Sequence, residues 1–232
     1  MSEGPDGIAA ALAEVRERVT AAAQRAGRDA ADVLLIGASK TVDAPRLVEA
    51  LDAGLTDLGE NRAQELLAKA PALARHVTPP TWHFVGQLQR NKVTGLIPWV
   101  RCWHSVDRYP LGEAIARRVP AARILVEVNL DAEPRQGGCA PGDAAALVEA
   151  LRGIDLDVAG LMTVAPRRGD PRRWFAALRD LATTLELHEL SMGMSNDFEA
   201  AVEEGATMVR VGRAIFGVRA PRRVATGPEH AA

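Results

Sequence analysis

One pattern narrows the fold more than any other. Short apolar runs ending on small or polar residues recur eight times: "DVLLIGAS", "TDLGEN", "TWHFVG", "VRCWHSVD", "ARILVEVNL", "LDVAGLM", "HELSMG" and "ATMVRVG". Each is followed by a segment with helical spacing or helix-start residues, at 43–54, 62–70, 90–97, 108–119, 140–153, 171–187, 196–204 and in "RAIFG". A further helix precedes them over 7–26, with Ile8, Leu12, Val15 and Val19 on one face and Gly27 as its stop. Eight β-then-α units predict a parallel sheet with helices outside it. A doubly wound open sheet fits the alternation as well. The units fill the 232 residues with short connections and leave no second domain. The expected fold is therefore α/β, a single (β/α)8 TIM-type barrel over 1–220 with an extra N-terminal helix. Residues 221–232 lack apolar periodicity and are expected to form a flexible tail.

Composition excludes several classes. A net charge of −2 makes no electrostatic case for nucleic acid. Two scattered cysteines, Cys102 and Cys139, form neither a disulfide framework nor a metal knuckle, which points to a reducing compartment. No stretch reaches the ~20 apolar residues of a membrane span. The acidic N-terminus has no signal-peptide core, so a cytoplasmic location is expected.

In a barrel of this kind, sites form where the strands end. The residues found there are Ser39-Lys40-Thr41, Gly59-Glu60-Asn61, Gly86-Gln87, Ser105 and Asp107, Asn129, Met162-Thr163, Gly193-Met194-Ser195-Asn196 and Gly212-Arg213. Loops are polar in any protein, and Lys40 can be read simply as a solvated strand end. A single central lysine is less well explained that way. "GMSNDFEAA" and "VGRAIFG" place Gly193, Ser195, Asn196, Gly212 and Arg213 at two helix starts, after the strands where a barrel phosphate site recurs. Ser195 or Asn196 alone is equally an ordinary N-cap. Together, an amine and a phosphate pocket suggest pyridoxal phosphate (PLP), with partial burial lowering the lysine pKa from ~10.4.

Other chemistries lack their motifs. No G-x-x-x-x-G precedes "SKT", and neither G-x-G-x-x-G nor G-x-S-x-G is present. The histidines show no metal-ligand spacing, so no metal is expected; His83 and His104 lie inside strands and read as hydrogen-bonded structural residues. "PRRGDPRR" reads as a solvated loop.

"WHFVGQLQRNK" closely resembles the signature of the pyridoxal phosphate homeostasis protein family, and "SKT", "GEN", "HSVD", "GLMT", "LSMGMSNDFEAA" and "MVRVGRAIFG" follow in the same order across residues 8–217. The resemblance implies a barrel similar to the N-terminal domain of alanine racemase. It implies PLP held as a Schiff base on Lys40, phosphate contacts from Ser195, Gly212 and Arg213, Arg210 near the pyridine nitrogen, and Asn61 lining the site. It implies intracellular buffering or delivery of PLP, with apo PLP enzymes as partners. Its "DAEPRQGGC" loop departs from the pattern: many relatives carry a lysine where this chain has Arg135-Gln136, so no hand-on role can rest on a lysine there.

Two functions stay open on these grounds. One is a PLP carrier without efficient amino-acid turnover. The other is an enzyme of alanine racemase-like type, which needs a second acid/base opposite the lysine. Tyr109 is the sole tyrosine, and no length is left for a domain to present one. The carrier is the expected reading, with the oligomeric state left open.

Overall fold

Strand and helix boundaries follow the local chemistry of the chain. The computed structural model describes residues 7–166 and 169–217. Helix α1, Ile8–Arg25, buries Ile8, Leu12, Val15 and Val19. Asp29 accepts from Ala31 N and closes a short turn before β1, Leu34–Ala38. Asp43 then caps α2, Ala44–Asp52, by accepting from Arg46 N at 3.2 Å, with Pro45 in its first turn. The alternation continues with β2 (Asp57–Glu60), α3 (Ala63–Leu73), β3 (Thr81–Phe84), α4 (Val93–Leu96), β4 (Val100–Val106), α5 (Tyr109–Ala116), β5 (Arg123–Glu127) and α6 (Ala144–Arg152). It ends with β6 (Asp157–Met162), α7 (Arg172–Thr184), β7 (Glu189–Met194), α8 (Phe198–Glu203), β8 (Met208–Val211) and α9 (Arg213–Phe216).

The eight strands pair in sequence order and close into a barrel, the arrangement expected over an open sheet. Closure joins β8 to β1 in parallel, with Leu34 opposite Met208 and Ile36 opposite Arg210. Two apolar cores result from the period-two alternation of strand side chains. The larger lies between barrel and helices and includes Phe84, Phe175, Phe198, Leu47 and Leu66. The smaller fills part of the barrel interior with Ile36, Cys102, Leu125, Met162 and Met208. Helix α1 docks outside the last units, where Arg18 pairs with Glu199 at 2.9 Å and Arg28 donates to the carbonyls of Val202 and Ala206.

Four local expectations need correction. Helix α3 runs on through Pro71 rather than ending at 70. The proline lies on an exposed face, where water can satisfy the carbonyl that loses its donor. The helix expected over 90–97 splits into a 3-10 turn, Arg90–Lys92, and α4. The expected capped helix at 140–153 begins with a 3-10 turn, Pro141–Asp143, and the Asp143 side chain makes no cap bond to α6. Helix α8 starts at Phe198 rather than 196. Asp197 Oδ1 accepts from Met194 N and closes a turn that takes up Ser195 and Asn196 first. The expected tail at 221–232, and Arg167 and Arg168 of the arginine-rich loop, lie outside the described residues.

Candidate functional site

Lys40 leaves β1 on a loop held by buried charge. Ser39 is fully buried, and its hydroxyl donates to Glu60 Oε1 at 3.0 Å and to the Gly59 carbonyl at 3.1 Å. Lys69 of α3 ion-pairs with Glu60 and donates to the Ser39 carbonyl at 2.8 Å. Thr41 has φ +64° and donates its N–H to Glu65 Oε2 at 2.7 Å. Burial opposes the Glu65 charge, but Thr41 N–H and Lys69 outweigh it and hold the carboxyl below the usual range. Glu60 Oε2 also accepts from Asn61 N at 2.9 Å, so one buried carboxylate ties the lysine loop to Asn61. Lys40 itself is exposed, not partly buried as expected.

Across the β8–β1 seam lie the two turns. Ser195 Oγ accepts from Gly212 N at 3.1 Å and from Ala214 N at 3.4 Å, and Arg213 donates to Asn196 Oδ1 at 3.0 Å. Ser195 therefore serves the next unit rather than capping α8. Gly193 has φ +88°, and a Cβ there would meet Ala201 Cβ at 2.5 Å, so the turn requires glycine. A Cβ on Gly212 would lie 3.1 Å from the carbonyl oxygen of Ala38, two residues before Lys40. The amine-bearing loop and the N–H groups of the last turn thus abut. Asn61 also lines a cavity of about 600 Å³ at the ends of β2 to β5, with Gln87, Asp107 and Gly137.

Arg210 is 5% exposed inside the barrel. Its Nη1 donates to Ser191 Oγ at 2.6 Å and its Nη2 to the Thr163 carbonyl at 2.8 Å. Burial lowers its pKa to about 10, against the pull of Glu127 and Asp197, so it remains a cation at neutral pH.

Residues 11–220 match the family described as alanine racemase, N-terminal domain. The pyridoxal phosphate homeostasis protein of Pseudomonas aeruginosa is 42% identical over 222 residues, covering 91% of this chain and 96% of that one. The protein of the same name from Aquifex aeolicus is 42% identical over 222 residues, covering 90% and 96%. The chain belongs to the pyridoxal phosphate homeostasis protein family. Among solved structures, PipY of Synechococcus elongatus PCC7942 with PLP bound superposes with TM-score 0.76 at 34% identity, covering 88% of this chain and all of that one. Without PLP it superposes with TM-score 0.80 at 34% identity, covering 90% and all of that chain.

Membership in this family directs attention to groups that local sequence did not single out. Glu127, on β5, is 5% exposed, and its Oε2 has no hydrogen-bond partner among the described residues. A Cβ on Gly137 would approach that oxygen to 3.0 Å. Burial and then Asp107 raise its pKa to about 7, while Arg210 opposes the rise. A glutamate inside the apolar run "ILVEV" was the available signal. Gln136 fastens the loop above by donating to the Val164 carbonyl at 2.8 Å, whereas Arg135 is exposed. Tyr109 is 39% exposed at the start of α5.

His83 and His104 are hydrogen-bonded to each other at 2.8 Å, in keeping with a structural role. With Cys102 their ligand atoms lie within 4.8 Å of one another, a donor set that would suit a metal ion. Burial, however, pushes the Cys102 thiol up to about 12, which disfavours the thiolate, and the two ring nitrogens already satisfy one another. No helix among the described residues is long and apolar enough to cross a membrane.

Proposed function

We propose that the chain holds PLP as a Schiff base on Lys40 and buffers or delivers it to apo PLP enzymes in the cytoplasm, without efficient amino-acid turnover. The family's printed name and the PLP-bound PipY structure support PLP as the ligand. In this reading Ser195, Gly212 and Arg213 hold the phosphate, Asn61 lines the site and Arg210 lies beside the pyridine nitrogen. The binding unit spans 1–220.

One observation carries the reading. Gly212 N and Ala214 N converge on a single oxygen, Ser195 Oγ, in a turn that abuts the Lys40 loop. An oxygen so placed is what a phosphate offers, and backbone N–H groups at a helix start favour it. PLP supplies an aldehyde that condenses with an amine and a ring that withdraws electrons. The chain's residues do the rest. The Glu60–Lys69 clamp orients the lysine loop, the last turn grips the anion, and Arg210 presents a cation that keeps a neighbouring ring nitrogen unprotonated. An unprotonated ring is a poorer electron sink, which lowers the driving force for carbanion chemistry without abolishing it.

The test is borohydride reduction of the yellow holo-protein followed by peptide mapping. The label is expected on the peptide bearing Lys40. Lys40→Ala should lose it while unfolding within ~0.5 kcal/mol of the parent, because an exposed side chain leaves no cavity. A label confined to Lys69 or Lys92 would overturn the assignment. Amino-acid turnover at roughly 1 s⁻¹ or more, abolished by Lys40→Ala, would overturn the carrier reading.

A further inference from the structure

Behind Arg210 a single file of hydrogen bonds crosses the barrel interior. Arg210 Nη1 is 2.6 Å from Ser191 Oγ, which is 2.8 Å from His104 Nδ1. His104 Nε2 is 2.8 Å from His83 Nδ1, and His83 Nε2 is 2.9 Å from Asp57 Oδ1. Asp57 Oδ2 accepts from Thr56 Oγ1 at 2.7 Å, and Thr56 lines a cavity of about 620 Å³ at the opposite, N-terminal end of the strands. All five members of the chain are less than 9% exposed, and they come from β2, β3, β4, β7 and β8.

Donor chemistry fixes the direction of this file. A guanidinium can only donate, so Ser191 Oγ accepts from Arg210, and its own proton goes to His104 Nδ1 when that nitrogen is unprotonated. Neutral His104 then carries its proton on Nε2 and donates it to His83 Nδ1. His83 in turn donates from Nε2 to the Asp57 carboxylate. From Arg210 Nη1 to His83 Nε2 each donor then finds the next acceptor and points away from Arg210, while Thr56 Oγ1 donates into Asp57 from the far end. The chain therefore presents lone pairs to its cationic end and protons to its anionic end, and such bonds polarise one another favourably. A proton added to His104 Nδ1 would break the pattern by leaving the Ser191 hydroxyl without its acceptor. Burial, followed by His83 and Arg210, holds the His104 pKa well below its ordinary value, which agrees. A file ending on an arginine is also a poor proton conduit, because that group does not release its proton at neutral pH.

We propose that Asp57, His83, His104 and Ser191 are positioning residues that hold Arg210 as an oriented cation toward the cofactor ring. The proposal rests on the reading above that places Arg210 beside the pyridine nitrogen. Ser191 fixes one end of the guanidinium, the Thr163 carbonyl fixes the other, and Asp57 supplies the remote countercharge. Glu127 and Asp197 are the other charged groups that act on Arg210.

The test has an arm that needs no cofactor. In the full-length, cofactor-free protein, ¹⁵N NMR should show His104 neutral with its proton on Nε2, and His83 carrying a proton on Nε2, at neutral pH. The Arg210 side-chain N–H signals should exchange slowly, and Ser191→Ala should speed that exchange. A second arm uses PLP. Ser191→Ala is expected to shift the absorption maximum of the bound ring and weaken retention about tenfold, the scale of one hydrogen bond to a charged group. Ser191→Thr, which keeps the hydroxyl, should restore both. Asp57→Asn, which keeps an acceptor but removes the charge, should shift the maximum in the same direction with a smaller loss of retention. A proton on Nδ1 of His104 in the cofactor-free protein overturns the proposal. So does a Ser191→Ala protein with unchanged Arg210 exchange and an unchanged ring spectrum. Failure of PLP to label Lys40 in the parent chain overturns the cofactor reading instead, and the NMR arm still decides whether the file holds Arg210.

Discussion

The barrel wall has two faces built on different principles. Its outer face meets the helices through Phe84, Phe175, Phe198, Leu47, Leu66 and their neighbours, an apolar layer held by area and shape. Its inner face mixes five apolar residues with Asp57, His83, His104, Glu127, Ser191 and Arg210, most of which are matched in a specific order of donors and acceptors. An apolar layer tolerates substitutions that keep volume. A polar file does not, because removing one member strands the next. The outer face therefore supplies stability, and the inner face supplies specificity at a cost in burial.

The largest expected effect breaks the outer face. Phe175 is fully buried, and Phe175→Ala should lose about 3–5 kcal/mol in urea unfolding. A loss below ~1 kcal/mol would show that the layer is not continuous there. The next effect concerns Glu127. Its folded pKa is raised from 4.5 to about 7, so the folded state keeps a proton that the unfolded chain has released. Stability from this group is therefore full below about pH 4.5 and is lost as pH rises through about 7, by at most about 3 kcal/mol. Glu127→Gln should flatten the difference between pH 5 and pH 8. Equal slopes in parent and variant would reject the assignment. Glu65, Glu199 and Glu203 are held below the usual range and act in the opposite sense at more acid pH, so the parent–variant difference isolates Glu127.

A smaller effect sharpens the contrast between the faces. His104→Leu should cost about 2 kcal/mol by leaving the Ser191 hydroxyl proton and His83 Nδ1 without partners, and less when His83→Leu is already present. The coupling between the two should exceed about 0.5 kcal/mol, whereas distant outer-face pairs should add within that margin. The smallest effect is local to the site. Ser195→Ala should weaken PLP retention by about 1–2 kcal/mol in equilibrium dialysis and cost about 1 kcal/mol in unfolding, the scale of a lost helix cap.

The same contrast explains what the sequence discloses. The outer face follows periodicity, so α1 with Ile8, Leu12, Val15 and Val19 and the eight strands are readable within a few residues. The placement of Lys40 and the Gly212–Arg213 turn at strand ends is readable because each follows an apolar run. The start of α8 is misread because Asp197, Ser195 and Asn196 all suit a helix start, and only three-dimensional context gives Asp197 the turn and Ser195 the neighbouring N–H groups. The interior file is not readable. Asp57, His83, His104, Ser191 and Arg210 lie on five strands, and their pairing depends on barrel register rather than on local spacing. The lysine clamp is hidden likewise, because Glu65 and Lys69 resemble any charged helix surface, and Glu60 an ordinary strand end, until Ser39 and Thr41 are placed against them.

The seam between β8 and β1 has a consequence for the order of assembly. Lys40 follows the first strand, while Arg210 lies on the last and Gly212 and Arg213 follow it, and the β1–β8 pairing that runs from Leu34–Met208 to Gly37–Val211 brings them together. A chain emerging from the ribosome carries Lys40 long before it carries the Gly212–Arg213 turn. Such long-range pairing closes late, after local β/α units have formed. On the function proposed above, a ligand that bridges the seam would stabilise only the finished barrel.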